Sequence, residues 1–296
     1  MPPKRKAKNQ ANGDTGDKVS AGPNIQSNAL DKSLSVISPS TIASQDIEDT
    51  LSRYDDHIQR LGSKSESKLV ELDDWRLNQL PGLVRARDPM CLDKEEIQRL
   101  MEWKLSRGKF RPTLSGLIAQ NASQAVKAST QTAFSALSRL KLDDEVNKGP
   151  TEETLKSFRT ILKELCASLK GVGPATASLV LSIYDIQVPF MSDEAYIWAM
   201  YADEEAKSGK IKSKREIKYT EKGYMDFAVR MWEIAAKANR TPGEMERVGW
   251  VLGKEWVSGG NLSAVRPGPN PESSVDSSEK TLGEDVAARR SKRLKQ

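Results

Sequence analysis

Apolar residues along this chain recur mostly at steps of three and four, the spacing that lines one face of a helix, while strict alternation is scarce. The clearest case follows Gly149-Pro150. Thr151 stands where an N-cap belongs, and Glu152 and Glu153 suit the positive end of a helix dipole. Leu155, Phe158, Leu162, Leu165 and Leu169 form its inner stripe. Asp93, with Glu96 three positions on, has the form of a capping box and precedes Ile97, Leu100, Met101 and Leu105 on one face. Ser123 to Leu140 predicts another helix, burying Val126, Ala133, Phe134, Leu137 and Leu140. Thr220 to Ala238 predicts one through Tyr224, Phe227, Ala228, Met231 and Ala235. Thr241-Pro242-Gly243-Glu244 opens the last, with Met245, Val248, Leu252 and Trp256 inside; a proline at the first helical position forfeits no hydrogen bond. A shorter helix is predicted from Asp49-Thr50 through His57 to Leu61. His57 receives no role. The expected class is all-α, without internal repeat.

Composition sets the limits of the domain. Residues 1–48 and 259–296 contain no aromatic residue, and all six tryptophans lie between them. Segments so poor in large apolar side chains cannot offset the entropy of ordering, so disordered tails at 1–48 and 259–296 are expected around a helical domain at 49–258. The net charge of +5 gives little direction, because the tails hold more than half of it. Local blocks say more. Lys4-Arg5-Lys6-Ala7-Lys8 and Arg289-Arg290-Ser291-Lys292-Arg293-Leu294-Lys295 suit nuclear addresses or nonspecific DNA-binding arms, and a nuclear location is expected. No apolar run approaches the roughly 20 residues of a membrane span, and no secretory leader is expected from the first residues. Cys91 and Cys166 read as reduced core thiols. Two cysteines and one histidine cannot by themselves hold a four-cysteine cluster or a tetrahedral zinc, so neither metal nor cofactor is expected.

The stretch that carries chemistry is Leu169-Lys170-Gly171-Val172-Gly173-Pro174-Ala175-Thr176-Ala177. One amphipathic helix ends at Leu169 and a nearly all-apolar one starts at about Pro174. The two-glycine turn brings main chain close to anything outside it, and a helix start presents unpaired N–H groups suited to phosphate. A plain helix–turn–helix corner would also account for a lone Gly-x-Gly. The longer pattern resembles the hairpin of the helix-hairpin-helix DNA-glycosylase superfamily, the endonuclease III and adenine-glycosylase branch in particular. Downstream, Asp185 to Trp198 runs through a Pro189-containing loop to Asp193 at the start of another helix, and the family's spacing between hairpin and catalytic acid is met without a gap. The match covers about 30 residues.

The resemblance implies a helix-hairpin-helix DNA-glycosylase-like fold that binds duplex DNA through Lys170, Gly171, Val172, Gly173, Ala175 and Thr176. It implies that Asp193 stabilises the positive charge that builds on the sugar as a flipped-out base departs, or activates the attacking water. Ala175 stands where relatives carry the lyase lysine. No Schiff base can form there, so a monofunctional enzyme is the most that the motif implies. The cysteine cluster of several relatives is absent. Ser192-Asp193 is also a good N-cap pair, which is the plain reading of the acid. A catalytically inactive DNA- or chromatin-complex-binding module is the alternative, and a helical interaction scaffold a third.

Two further features carry charge. Lys207, Lys210, Lys212, Lys214, Arg215 and Lys218 form a basic segment after the Asp193 helix. Lys210, Lys212, Lys214 and Arg215 are its candidate backbone contacts, with a solvated loop as the bland reading. Trp103-Lys104 and Gly108-Lys109-Phe110-Arg111-Pro112 combine aromatics with cations in a way that suits nucleic-acid stacking, against a reading in which Trp103 anchors in the core beneath a basic turn. Tyr196 shares a helix face with Asp193 and is expected in the core or lining a pocket.

Overall fold

The computed structural model describes residues 37–65, 68–144, 149–209 and 215–259. Among them every regular element is a helix. Helices α1 (Ser44–Ser52) and α2 (Tyr54–Ser65) come first. α3 (Leu69–Asp74) runs through a π turn at Trp75–Gln79 into α4 (Leu80–Arg85). Then follow α5 (Lys94–Arg107), α6 (Pro112–Ala119), α7 (Ser123–Ser138), α8 (Glu152–Ser168), α9 (Pro174–Tyr184), α10 (Asp193–Ser208), α11 (Glu221–Ala238) and α12 (Pro242–Gly259). No described helix is long and apolar enough to cross a membrane.

The apolar helix after the hairpin, α9, is the axis of the core. Ala177, Leu179, Val180 and Leu181 are fully buried, and α4, α5, α7, α8 and α11 pack around it. A helix apolar on all sides needs such a jacket. The helix starts read from the sequence are held by the expected caps. The Thr154 amide donates to Thr151 Oγ1 at 3.1 Å. The Asp93 amide donates to Glu96 at 2.8 Å. At α12 the box is reciprocal: the Thr241 amide donates to Glu244 at 2.9 Å, and the Glu244 amide to Thr241 Oγ1 at 3.2 Å.

Three expectations are corrected. Packed structure begins before residue 49. Ile37 and Ile42 lie against the core, and Ile47 is fully buried, so scattered isoleucines do what an aromatic-free composition hid. The predicted helix from Asp49 to Leu61 is two helices broken at Arg53. The segment 69–85 and α6 are helices that the spacing did not predict.

The leading segment is tied down at one carboxylate. Trp198 Nε1 donates to the Ile37 carbonyl at 2.9 Å. Asp203 accepts from Ser38 Oγ at 2.5 Å and from the Ser40 amide and hydroxyl at 3.0 and 2.5 Å, and pairs with Arg230. Partial burial works against its charge, but these donors outweigh it and hold the Asp203 carboxyl below its ordinary value. A value depressed by folding stabilises the fold above the unfolded-state value, about 4, and that stabilisation is lost as pH falls through the folded value. Asp203→Asn is therefore expected to melt at a lower temperature than the parent near neutrality. The two melting curves should converge as the pH falls below about 4.

Helices α10 and α12 meet at unusually close range because two glycines on α12 face α10. A Cβ at Gly253 would lie 2.3 Å from the Glu194 carbonyl oxygen, and one at Gly249 would lie 2.7 Å from the Trp198 ring. In an exposed helix Gly→Ala gains about 1 kcal/mol. Here the methyl meets backbone, so Gly253→Ala is expected to lose about 1–3 kcal/mol, read as a drop in urea midpoint at constant slope.

Candidate functional site

The turn between α8 and α9 needs glycine at one position. Gly171 has φ +74, the left-handed region, and a Cβ there would come within 2.9 Å of Leu117 on α6. Gly173 is extended and its carbonyl accepts from the Thr176 and Ala177 amides, both at 2.9 Å. The Lys170 amide donates to Asn121 Oδ1 at 2.8 Å, and the Val172 amide to the Leu169 carbonyl at 3.3 Å. Pro174 has no N–H. Gly171, Gly173 and Ala175 supply the remaining amides of the bend.

The segment from the end of α9 to α10 is pinned along its length. The Met191 amide donates to Ser178 Oγ at 3.1 Å, Tyr224 to the Pro189 carbonyl at 3.2 Å, Trp232 to the Gln187 carbonyl at 2.7 Å, and the Gly243 amide to the Ile186 carbonyl at 3.1 Å. Asp193 is thereby fixed relative to the bend as the first residue of α10. Its Oδ1 accepts from the Tyr219 hydroxyl at 2.5 Å. Neither Asp193 nor Ser192 makes the side-chain cap that the plain reading of this pair foresees: α10 has no side-chain cap bond, and the Ser192 hydroxyl donates instead to Glu246 at 2.6 Å.

Bend and acid open on one cavity. Gly171, Gly173, Pro174, Ala175 and Thr176 line it together with Asp193 and Tyr219, and Lys104, Lys109 and Arg111 add positive charge. It holds about 110 Å³ of space open to water-sized molecules. A single water needs about 10–15 Å³ by that measure, so a larger group is accommodated. Lys104 Nζ donates to Thr176 Oγ1 at 2.8 Å, and the Arg111 guanidinium lies 4.9 Å from the centre of the Tyr219 ring. Burial, then the Asp193 charge and its hydrogen bond, push the Tyr219 hydroxyl well above its ordinary value, so it remains a donor to Asp193 at any physiological pH.

One wall of the cavity, at Arg107, belongs to a buried ion pair. Arg107 and Glu246, each 2% exposed, are joined in a fork at 2.8 and 3.1 Å. The guanidinium sits 4.3 Å from the Trp250 ring centre, 5.1 Å from Trp103 and 5.5 Å from Tyr54. Burial disfavours its charge, but Glu246 and its neighbours more than compensate and raise its proton affinity. Trp103 itself is fully buried, with its indole N–H donating to Asp73 at 2.7 Å. Tyr196 is likewise a core residue, stacked on Phe227.

The remaining expected contacts fall differently. Lys170 is exposed beside the bend but does not line the cavity, and Val172 is buried beneath it. Lys210, Lys212 and Lys214 lie outside the described residues. Arg215, expected as a solvent-facing contact, is corrected. It is 8% exposed, forked to Glu205 at 2.9 and 2.8 Å, and stacked 3.8 Å from the Trp256 ring centre. A carboxylate ten residues earlier on α10 takes its charge inward. Cys91 and Cys166 are separate thiols, and no group of His, Cys, Asp and Glu among the described residues is arranged to hold a metal ion.

Sequence reasoning missed Tyr219, which belongs to no motif and reaches Asp193 from 26 positions away. It also missed the Arg107–Glu246 pair, whose partners are 139 positions apart. Comparison with protein-family models, with curated proteins and with solved structures finds no match for this chain.

Proposed function

We propose that the protein binds duplex DNA without sequence preference through the Gly171–Thr176 bend, and that Asp193 assists hydrolysis of an N-glycosidic bond at a base drawn into the adjoining cavity. The observation that carries the reading is that bend and acid line the same cavity, with Lys104, Lys109 and Arg111 beside them. The bend amides of Gly171, Gly173 and Ala175 suit a phosphate and would fix register without reading bases. A carboxylate next to that phosphate faces the sugar, where positive charge develops as the base departs. Tyr219 holds Oδ1, which leaves Oδ2 as the oxygen to meet the sugar or a water. Ala175 offers no amine, so the product is an intact strand with an abasic site. A nuclear location is part of the proposal.

The test incubates the protein with duplexes carrying uracil, alkylated purines or oxidised bases, then applies alkali. Strand breaks at one lesion, dependent on Asp193, are expected. No break across the panel, with binding retained, would favour the second reading, a DNA- or chromatin-binding module without catalysis. The observation on its side is that the Tyr219 hydroxyl already engages one oxygen of Asp193.

A further inference from the structure

The connection between α5 and α6 holds a residue that the fold does not use. Phe110 is 71% exposed, more than any other large apolar side chain described. The residues that flank Lys109 and Phe110 are engaged. Lys104, on the last turn of α5, bonds Thr176 at the bend, and Arg107 is locked to Glu246. Arg111 lies on the Tyr219 ring, and Leu114, on the first turn of α6, lies where a Cβ on Gly171 would touch it. A segment held on both sides thus presents one phenyl ring outward, between Lys109 and Arg111, which line the cavity.

Leaving a phenyl ring in water forfeits hydrophobic stabilisation that nothing among the described residues recovers. The charge beside it selects the partner. Cations alternating with an aromatic ring fit a phosphate backbone and the face of a base, since every base has a face on which a ring can stack. We infer that Phe110 stacks on an unpaired base of DNA bound across the cavity, so that the protein prefers duplex with a local opening over intact duplex. The inference rests on the DNA-binding reading above. It adds the class of DNA, a duplex that is interrupted or locally unpaired. Anchors at Lys104 and Arg111 on either side of the ring limit the ordering cost at binding.

The experiment measures binding of the full chain to three labelled duplexes of one sequence, intact, with a one-nucleotide gap, and with a single-base bulge, at several salt concentrations. Parent, Phe110→Ala and Phe110→Trp are compared. The parent should bind gapped and bulged duplex more tightly than intact duplex. Phe110→Ala should lose about 5- to 100-fold on the opened duplexes, the equivalent of one stacked base, with little change on intact duplex. Phe110→Trp should keep the preference. The melting temperature should not change, because the ring is outside the core. Equal affinities of parent and Phe110→Ala for every duplex, with binding otherwise intact, would overturn the inference and leave the DNA-binding reading standing. Failure of the parent to bind any duplex would overturn both. Loss of self-association in Phe110→Ala, with DNA affinity unaltered, would assign the ring to a protein contact and overturn the inference.

Discussion

Glu246→Ala is expected to lower stability by about 3–5 kcal/mol, the cost of leaving a buried charge without its partner. The substitution strands the Arg107 guanidinium among Trp250, Trp103 and Tyr54, and also removes the acceptor of the Ser192 hydroxyl. Aromatic faces attract the cation but cannot replace a two-pronged carboxylate. The loss is a large share of the stability of an ordinary domain, so the urea midpoint should fall far enough to populate unfolded chain under mild conditions. The double variant Arg107→Met, Glu246→Leu should recover much of it, because a pair replaced by apolar groups of similar volume leaves no orphan charge. A single variant as stable as the parent would mean that Arg107 is not closed off from water. Because Ser192 precedes Asp193, Glu246→Ala should also disturb the cavity, and Gly253→Ala should do so from the other side of α10.

Asp193→Asn is expected to lower base release by about 10²–10³-fold while leaving DNA affinity and melting temperature near those of the parent. The asparagine keeps an oxygen at the position that accepts from Tyr219, so the local geometry survives and only the charge is lost. That separates the chemistry from the scaffold more cleanly than alanine would. Tyr219→Phe should show a smaller drop of about 10-fold, equivalent to one hydrogen bond to a charged group. Single-turnover base release on the responsive lesion measures both. An Asp193→Asn protein as active as the parent would remove Asp193 from the mechanism.

What could be read in the chain depended on how local the causes were. Caps at Thr151, Asp93 and Thr241 were legible because a cap and its partner lie three residues apart. The α9 helix was legible from its unbroken apolar run. Helix α6 was not, because Pro112 directly after Phe110-Arg111 reads as the end of a basic turn as readily as the first residue of a helix. The continuous stretch from α3 through the π turn to α4 shifts its own register, which blurs any period of 3.6. Bend and acid were found because one short motif holds both. Arg215 was misjudged because a row of cations in sequence does not show that Glu205 and Trp256 wait beneath one of them. The glycines of α12 looked ordinary, and only their distance to Glu194 and Trp198 explains them.

In the proposed complex the bend amides and Asp193 face one bound DNA strand, and a titration of isotope-labelled protein with a short duplex, following backbone amide resonances, reads this at each residue. Gly171, Gly173, Ala175, Asp193 and Tyr219 are expected to shift together, with one affinity that weakens steeply as salt rises. Shifts confined to another face, or none at these five residues while DNA is bound, would contradict it.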